Sequence, residues 1–382
     1  MEFELGWLLL GLPAAFGLGW LASRLDLRQV RRENRDAPRA YFKGLSLLLS
    51  EQQDKAIDAF IEAVQNDPDT VELHFALGGL FRRRGEFERA VRVHEHLLRR
   101  ADLSVTDRDR ARHALAQDYM KAGLFDRAEA AFCALEGTAF DSESRQARLS
   151  LYERSRDWTA AAAMGEQLEA RGAGTYARQI AHYRCEIAQE AEARGDDAAA
   201  AQALRQALVA APDAARPRVL QARLHARAGR PQDALAELET LLLRDPAHFV
   251  LAVDDYIAHA RAAHRTEAAA RTLSRLFEQQ PGVELLRALC RLQGLMPAQS
   301  PLLDELLARQ PSLPAVQLVL ESPEALPPGA RREGVQRAVE RAAAPMRRYR
   351  CNQCGFEAQS HFWQCPGCLS WDSFPPRRGE PA

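Results

Sequence analysis

The sequence predicts an all-α fold: a superhelix of stacked helix pairs, with an apolar transmembrane helix ahead of it and a small four-cysteine ribbon behind it. Three observations carry this. Ala188, Ala191, Gly195, Ala200, Leu204, Ala207 and Pro212 recur as Ala222, His225, Gly229, Ala234, Leu238, Leu241 and Pro246, each displaced by 34 residues (212 to 246, for example). From Leu5 to Ser23 the chain carries no charge, and two Cys-x-x-Cys pairs stand close together near the C-terminus. Composition agrees, because 47% hydrophobic residues with only 7% aromatics favour Ala- and Leu-rich helices over sheets. A chain of 382 residues exceeds one ordinary core, whereas a repeat array grows linearly without that ceiling.

The N-terminal run comes first. A spanning helix needs about 20 apolar residues, with about 17 as a minimum, so Leu5 to Ser23 spans with little tilt to spare. Trp7 and Trp20 mark its ends, where aromatic belts form. Glu2 and Glu4 precede the run and Arg24, Arg28, Arg31, Arg32 and Arg35 follow it, which places the body of the protein on the cytoplasmic side. A cleaved signal peptide would start basic; this segment starts acidic, which favours an uncleaved anchor. Gly11, Ala15 and Gly19 share a face that suits contact with another membrane helix, although Gly is common in membrane helices and any one of the three needs no such role. The organisation read from the sequence is an anchor at 1–23, a basic linker at 24–36, a repeat array at 37–344, and a metal-binding ribbon with its tail at 345–382.

Within the array, the 34-residue spacing is that of a tetratricopeptide repeat. Small residues let two antiparallel helices approach, the Gly ends the first helix in a left-handed conformation, and the Pro stops the second. Gly44, Leu47, Ala56, Phe60, Ala63 and Pro68 form a first repeat; Gly78, Phe81, Gly85, Ala90 and Leu97 a second; Ala116, Tyr119, Gly123, Ala128, Phe132 and Leu135 a third. A weaker fourth has Leu149, Tyr152, Ala161 and Leu168, and a seventh has Arg265 where the Gly is expected. Leu285 to Pro311 and Val316 to Ala344 read as degenerate capping helices, broken between Ser322 and Gly329 by three prolines.

Such an array binds and does no chemistry. Arg82, Arg83 and Arg84 read as solvated helix surface. His94 and His96 lack the spacing and the neighbouring carboxylate of a metal site. No phosphate loop, nucleophile elbow or His-Glu-x-x-His helix occurs, so the sequence predicts no enzyme. A net charge of −1 gives nucleic acid no electrostatic hold. Cys133, Cys185 and Cys290, scattered in helices, read as reduced core residues.

The sharpest chemical signal is Cys351-Asn-Gln-Cys354 followed by Cys365-Pro-Gly-Cys368. Two residues between paired thiolates let both sulfurs reach one ion, and two such knuckles complete a tetrahedral site. Gly355 and Gly367 permit the turns in which backbone N–H groups point at sulfur. Four cysteines suit zinc, and the same geometry holds a single iron; the shell is closed, so the ion is structural or, as iron, an electron carrier. Phe356, Phe362, Trp363, Trp371 and Phe374 supply a small core and a docking face.

Together these parts resemble one family, the lipopolysaccharide assembly protein B of Gram-negative bacteria. The resemblance shows in the apolar start with its basic flank and in Leu48 to Ala56. It continues through Gly78, Leu80, Phe81, Arg82, Arg84, Gly85 and Glu86, and through Asp118, Tyr119, Met120, Ala122, Gly123 and Leu124. It closes on Tyr349, Arg350, Cys351, Cys354, Gly355, Phe356, Trp363, Cys365, Pro366 and Cys368. It implies a rubredoxin-like ribbon with Cys351, Cys354, Cys365 and Cys368 on one ion, and a single-pass inner-membrane adaptor facing the cytoplasm. The implied partners are a membrane-bound ATP-dependent metalloprotease, the lipid A pathway deacetylase it destroys, and a regulatory inner-membrane protein that relieves this. Two other readings stay open: a scaffold that gathers synthesis and export proteins without proteolysis, and an electron carrier on iron. The chain departs from the family pattern in its Ala- and Pro-rich later repeats, from about Ala193 onward.

Overall fold

The computed structural model describes residues 42–376 except positions 45, 48, 49, 51, 68, 322–329, 344, 345 and 347. The apolar run from Leu5 to Ser23, the basic linker and the break between Ser322 and Gly329 therefore lie outside the described residues. Among the described residues no helix is long and apolar enough to cross a membrane. The chain forms two compact units, one ending at Arg156 and one beginning at Asp157.

The first unit contains α1 (Gln53–Asn66), α2 (Val71–Arg84), α3 (Phe87–Arg99), α4 (Val105–Ala122), α5 (Phe125–Cys133) and α6 (Asp141–Ser155). Consecutive helices pack as antiparallel hairpins because the turns leave them no other course. Gly85 and Gly123 end α2 and α4 at φ of 83° and 76°, a conformation costly for any residue with a Cβ. The small positions are contact points: Ala56, Ala63, Ala90, Ala116 and Ala128 are fully buried. A Cβ on Gly78 would stand 2.5 Å from the His94 ring, and one on Gly44 would stand 2.6 Å from Phe60.

Two readings of this unit need correction. His94 does have a carboxylate, since its Nδ1 lies 2.5 Å from Oδ2 of Asp118, one helix further on. Arg82 is no free surface group; its Nη1 donates to Asp118 Oδ1 at 3.1 Å and to the Ala114 carbonyl at 3.0 Å. His94 and Asp118 are 1% and 0% exposed, so α2, α3 and α4 are joined by a buried charged network. Neither partner was visible in sequence, because the residues that meet sit on different helices.

The second unit continues with α7 (Trp158–Ala170), α8 (Ala177–Ala193), α9 (Asp197–Ala210), α10 (Ala215–Arg227), α11 (Pro231–Arg244) and the short α12 (Pro246–Phe249). It goes on through α13 (Val253–Ala262), α14 (Thr266–Gln279), α15 (Val283–Gln293), α16 (Pro301–Arg309), α17 (Leu313–Leu320) and α18 (Ala330–Ala343). The hairpins α8–α9 and α10–α11 carry the clear repeats, with Gly195 and Gly229 at φ of 78° and 71°. Pro246 not only ends α11 but opens α12, at the first helical position where its missing N–H costs nothing. In the next repeat the left-handed residue is His264 at φ 53°, and Arg265 instead precedes α14. The turn keeps its length, five residues from His264 to Ala269 as from Gly229 to Ala234; the added residue lies ahead of it, between Pro246 and His264, and the sequence reading fell one position late. The segment from Leu285 to Pro311 is two helices, split after Gly294 at φ 71°. Cys185 and Cys290 are buried as expected, while Cys133 is only half-buried.

The ribbon follows α18. Its strands β1 (Tyr349–Arg350) and β2 (Glu357–Ala358) pair antiparallel, Tyr349 opposite Ala358.

Candidate metal centre

The four ribbon cysteines come together. Cys351 Sγ lies 3.7 Å from Cys368 Sγ and Cys354 Sγ lies 3.7 Å from Cys365 Sγ, with all four sulfurs within 4.8 Å of one another. A tetrahedral ion with bonds of about 2.3 Å requires sulfurs about 3.8 Å apart. The donor set therefore fits one zinc or iron ion without rearrangement.

The two knuckles repeat each other. Gln353 N–H points at Cys351 Sγ and Gly367 N–H at Cys365 Sγ, both at 3.4 Å. Gly355 N–H donates to the Cys351 carbonyl at 2.9 Å and Leu369 N–H to the Cys365 carbonyl at 2.8 Å. Gly355 takes φ 76°, but in the second knuckle the left-handed residue is Leu369, at φ 60°. Gly367 takes the expected place, its N–H on the Cys365 sulfur, and a Cβ there would make ordinary contacts with Phe356 and Cys354 Sγ at 3.4 and 3.5 Å. Leu369 is 45% exposed and carries backbone strain for a side chain that packs little. Leu369→Gly is expected to stabilise the ribbon by about 1 kcal/mol, read as a higher midpoint in thermal release of the metal.

Further groups surround the sulfurs. Ser373 Oγ lies 3.3 Å from Cys351 Sγ and Ser370 Oγ 3.3 Å from Cys368 Sγ. Burial disfavours the Cys351 thiolate, yet the Ser373 hydroxyl and the N–H groups of Cys354 and Gln353 outweigh it and bring the thiol down to about 6. The Phe356 N–H favours a thiolate at Cys354, but desolvation and the three neighbouring sulfurs push it up to about 12. Four thiolates cannot coexist this closely without a cation, so binding an ion displaces protons. When bound, the ion supplies a tetrahedral cross-link with no open coordination position. The residues around it fix the sulfur positions and shield Cys351 and Cys365, which are buried, better than Cys354, which is exposed.

The ribbon is docked on the repeats of its own unit. Trp371 stacks on His182 of α8 at 4.7 Å between ring centroids, with Trp158 and Tyr183 edge-on at 6.1 and 5.9 Å. His182 Nε2 lies 2.8 Å from Asp372 Oδ1. Trp363 stacks on His248 of α12 at 5.7 Å, and Leu251 packs against the ribbon core of Tyr349, Cys351, Cys365 and Phe374. Of the five expected aromatics, Phe374 is core and the two tryptophans dock. Phe356 and Phe362 are 41% and 37% exposed, and Phe362 covers the core from outside, its ring 6.0 Å from that of Phe374. His182, His248 and Asp372 were missed. The available signal was a surplus of aromatics that so small a ribbon cannot bury by itself.

Burial holds His182 and His361 neutral. It pushes His361 down to about 4, and it lowers His182 despite the Asp372 carboxylate beside it. Both are depressed, so the unfolded or released state takes up protons more readily than the docked one. The folded, docked ribbon is then most stable above about 6.5, the usual histidine value, and loses stability as the pH falls toward 4, with His361 alone withdrawing roughly 3 kcal/mol over that window. Tryptophan emission recorded from pH 7.5 to 4.5, with bound metal assayed in parallel, should shift to the red before metal is lost. A spectrum that changes only with metal release would remove the histidines from the account.

Comparison with known proteins agrees with this architecture. Residues 349–376 match a family described as the rubredoxin metal binding domain, and residues 73–109 match the tetratricopeptide repeat. Lipopolysaccharide assembly protein B of Escherichia coli K12 is 30% identical over 385 residues, 97% of this chain and 98% of its own length. The protein of that name from Haemophilus influenzae is 28% identical over 389 residues, 97% of each chain. A looser backbone likeness reaches a chain of a Naa15/Naa10 complex, at 16% identity and a TM-score of 0.42 over 80% of this chain and 46% of that one. On the strength of alignment at 30% identity over 97% of its length, the chain belongs to the lipopolysaccharide assembly protein B family.

Proposed function

We propose that the chain is a non-catalytic adaptor of the inner membrane that restrains lipopolysaccharide synthesis. In this reading it presents the lipid A pathway deacetylase to a membrane-bound ATP-dependent metalloprotease, and a regulatory inner-membrane protein relieves the effect. Full-length kinship with relatives named for lipopolysaccharide assembly is the observation that carries it. Two features of the chain support the adaptor class. Its repeats are built for binding, and its one cluster of metal-ligating residues among the described residues has a closed four-sulfur set that leaves no place for substrate. The uncharged run from Leu5 to Ser23 supplies the tether.

A pulse-chase of the deacetylase tests this in cells with the intact chain, with the chain lacking Met1 to Ser23, and with no chain. Fast turnover only with the anchored form is expected. Turnover indifferent to the protein, together with mislocalised synthesis enzymes, would transfer the role to a scaffold that does not promote proteolysis.

A further inference from the structure

Between the ribbon and the inner wall of the repeats lies a cleft of about 930 Å³. Ribbon residues Tyr349, His361 and Trp363 form one side, and α10, α15 and the turn around Leu251 form the other. Its floor is apolar at Val219, Leu220, Leu251 and Val283. Four arginines line it against three carboxylates. Arg216 and Arg223 are two turns apart on α10, and Arg287 and Arg291 one turn apart on α15, so each pair shares a helix face.

Three of these arginines have exchangeable partners. Arg223 pairs with Asp255, Arg287 with Glu321 and Arg291 with Asp254, all among partly exposed groups. Such pairs contribute about 0–1 kcal/mol each, so an incoming carboxylate can replace them. Arg216 differs. It is 7% exposed, and its Nη2 donates to Glu186 Oε1 and Gln189 Oε1 at 2.7 Å each. Its Nη1 is buried with no partner among the described residues. An unmet buried donor is costly, and the guanidinium fork matches a carboxylate.

We infer that this cleft binds an extended peptide segment of alternating apolar and acidic side chains. One carboxylate completes the Arg216 fork, others exchange onto Arg287 and Arg291, and the apolar side chains cover Val219, Leu251 and Val283. A small anion would satisfy Arg216 but leave that floor bare. The inference rests on the adaptor reading and names the chemistry of the segment taken. The ribbon becomes one wall of the recognition surface.

The test is selection of a random octapeptide library displayed on phage against the full-length, metal-bound chain in detergent. A fluorescein-labelled consensus peptide is then titrated against variants. Enrichment of Asp and Glu alternating with Leu, Ile or Val is expected, with binding weakened about tenfold by Arg216→Gln. Because Arg216 also stands 5.9 Å from the Trp371 ring, its loss can disturb the dock. The double variant Arg287→Glu/Arg291→Glu, on half-exposed positions, should weaken binding as much while tryptophan emission stays native. Enrichment of basic or purely apolar peptides, no enrichment, or affinity unchanged in the double variant would overturn the inference. Binding as expected with deacetylase turnover unaffected would leave the groove standing and remove the adaptor reading.

Discussion

Replacing Cys351 and Cys365 with Ser, or stripping the ion with a chelator, is expected to unfold the ribbon and free Trp363 and Trp371 from the repeats. The ribbon has two strands of two residues each and a core of Tyr349, Phe374 and the cysteines themselves. That is too little apolar area to offset the entropy of ordering its loops. A structural zinc site contributes about 10–16 kcal/mol of apparent binding energy in small domains, so its loss exceeds anything the dock can return. The expected readouts are a red shift in tryptophan emission and faster hydrogen exchange in α8 and α12. The repeats should stay helical, because the buried residues of their cores, Leu204, Leu238 and Leu273 among them, all come from repeat helices, and the ribbon adds only Trp363 against one of them. Native emission in the metal-free protein would show that the dock holds the ribbon without the ion.

The second large effect lies in the first unit. Asp118→Ala leaves His94 and Arg82 facing a buried gap, and breaking one partner of a buried charged network costs about 3–5 kcal/mol. Urea denaturation followed by hydrogen exchange in α2 to α4 should show that loss there and leave the second unit unchanged. Asp118→Asn keeps the shape and one acceptor, and should cost less. A loss below about 1 kcal/mol for the alanine variant would mean that water enters and solvates the pair.

Much of this was legible in the sequence because it is local. A helix hairpin fixes which positions touch within one 34-residue repeat, so Gly195, Ala200 and Leu204 announce themselves by recurrence. The cysteine pairs are legible for the same reason: two residues of spacing bring two sulfurs to one ion. What escaped depends on residues far apart in the chain. Nothing near His94 in sequence announces Asp118, and nothing near His182 announces Asp372. On a finer scale nothing marked Leu369, which takes in the second knuckle the left-handed place that Gly355 takes in the first.

The contact between His182 and Asp372 joins residues 190 positions apart. During synthesis the hairpins α8–α9 and α10–α11 can close as they emerge, since their contacts are near in sequence. The ribbon emerges after them and must load its ion before it presents Trp371. Docking is therefore among the final folding events, and it reports a chain translated through Phe374. A product truncated before Tyr349 would keep its repeats yet expose Trp158, Tyr183 and His182 together, an apolar patch that quality-control proteases and chaperones can recognise.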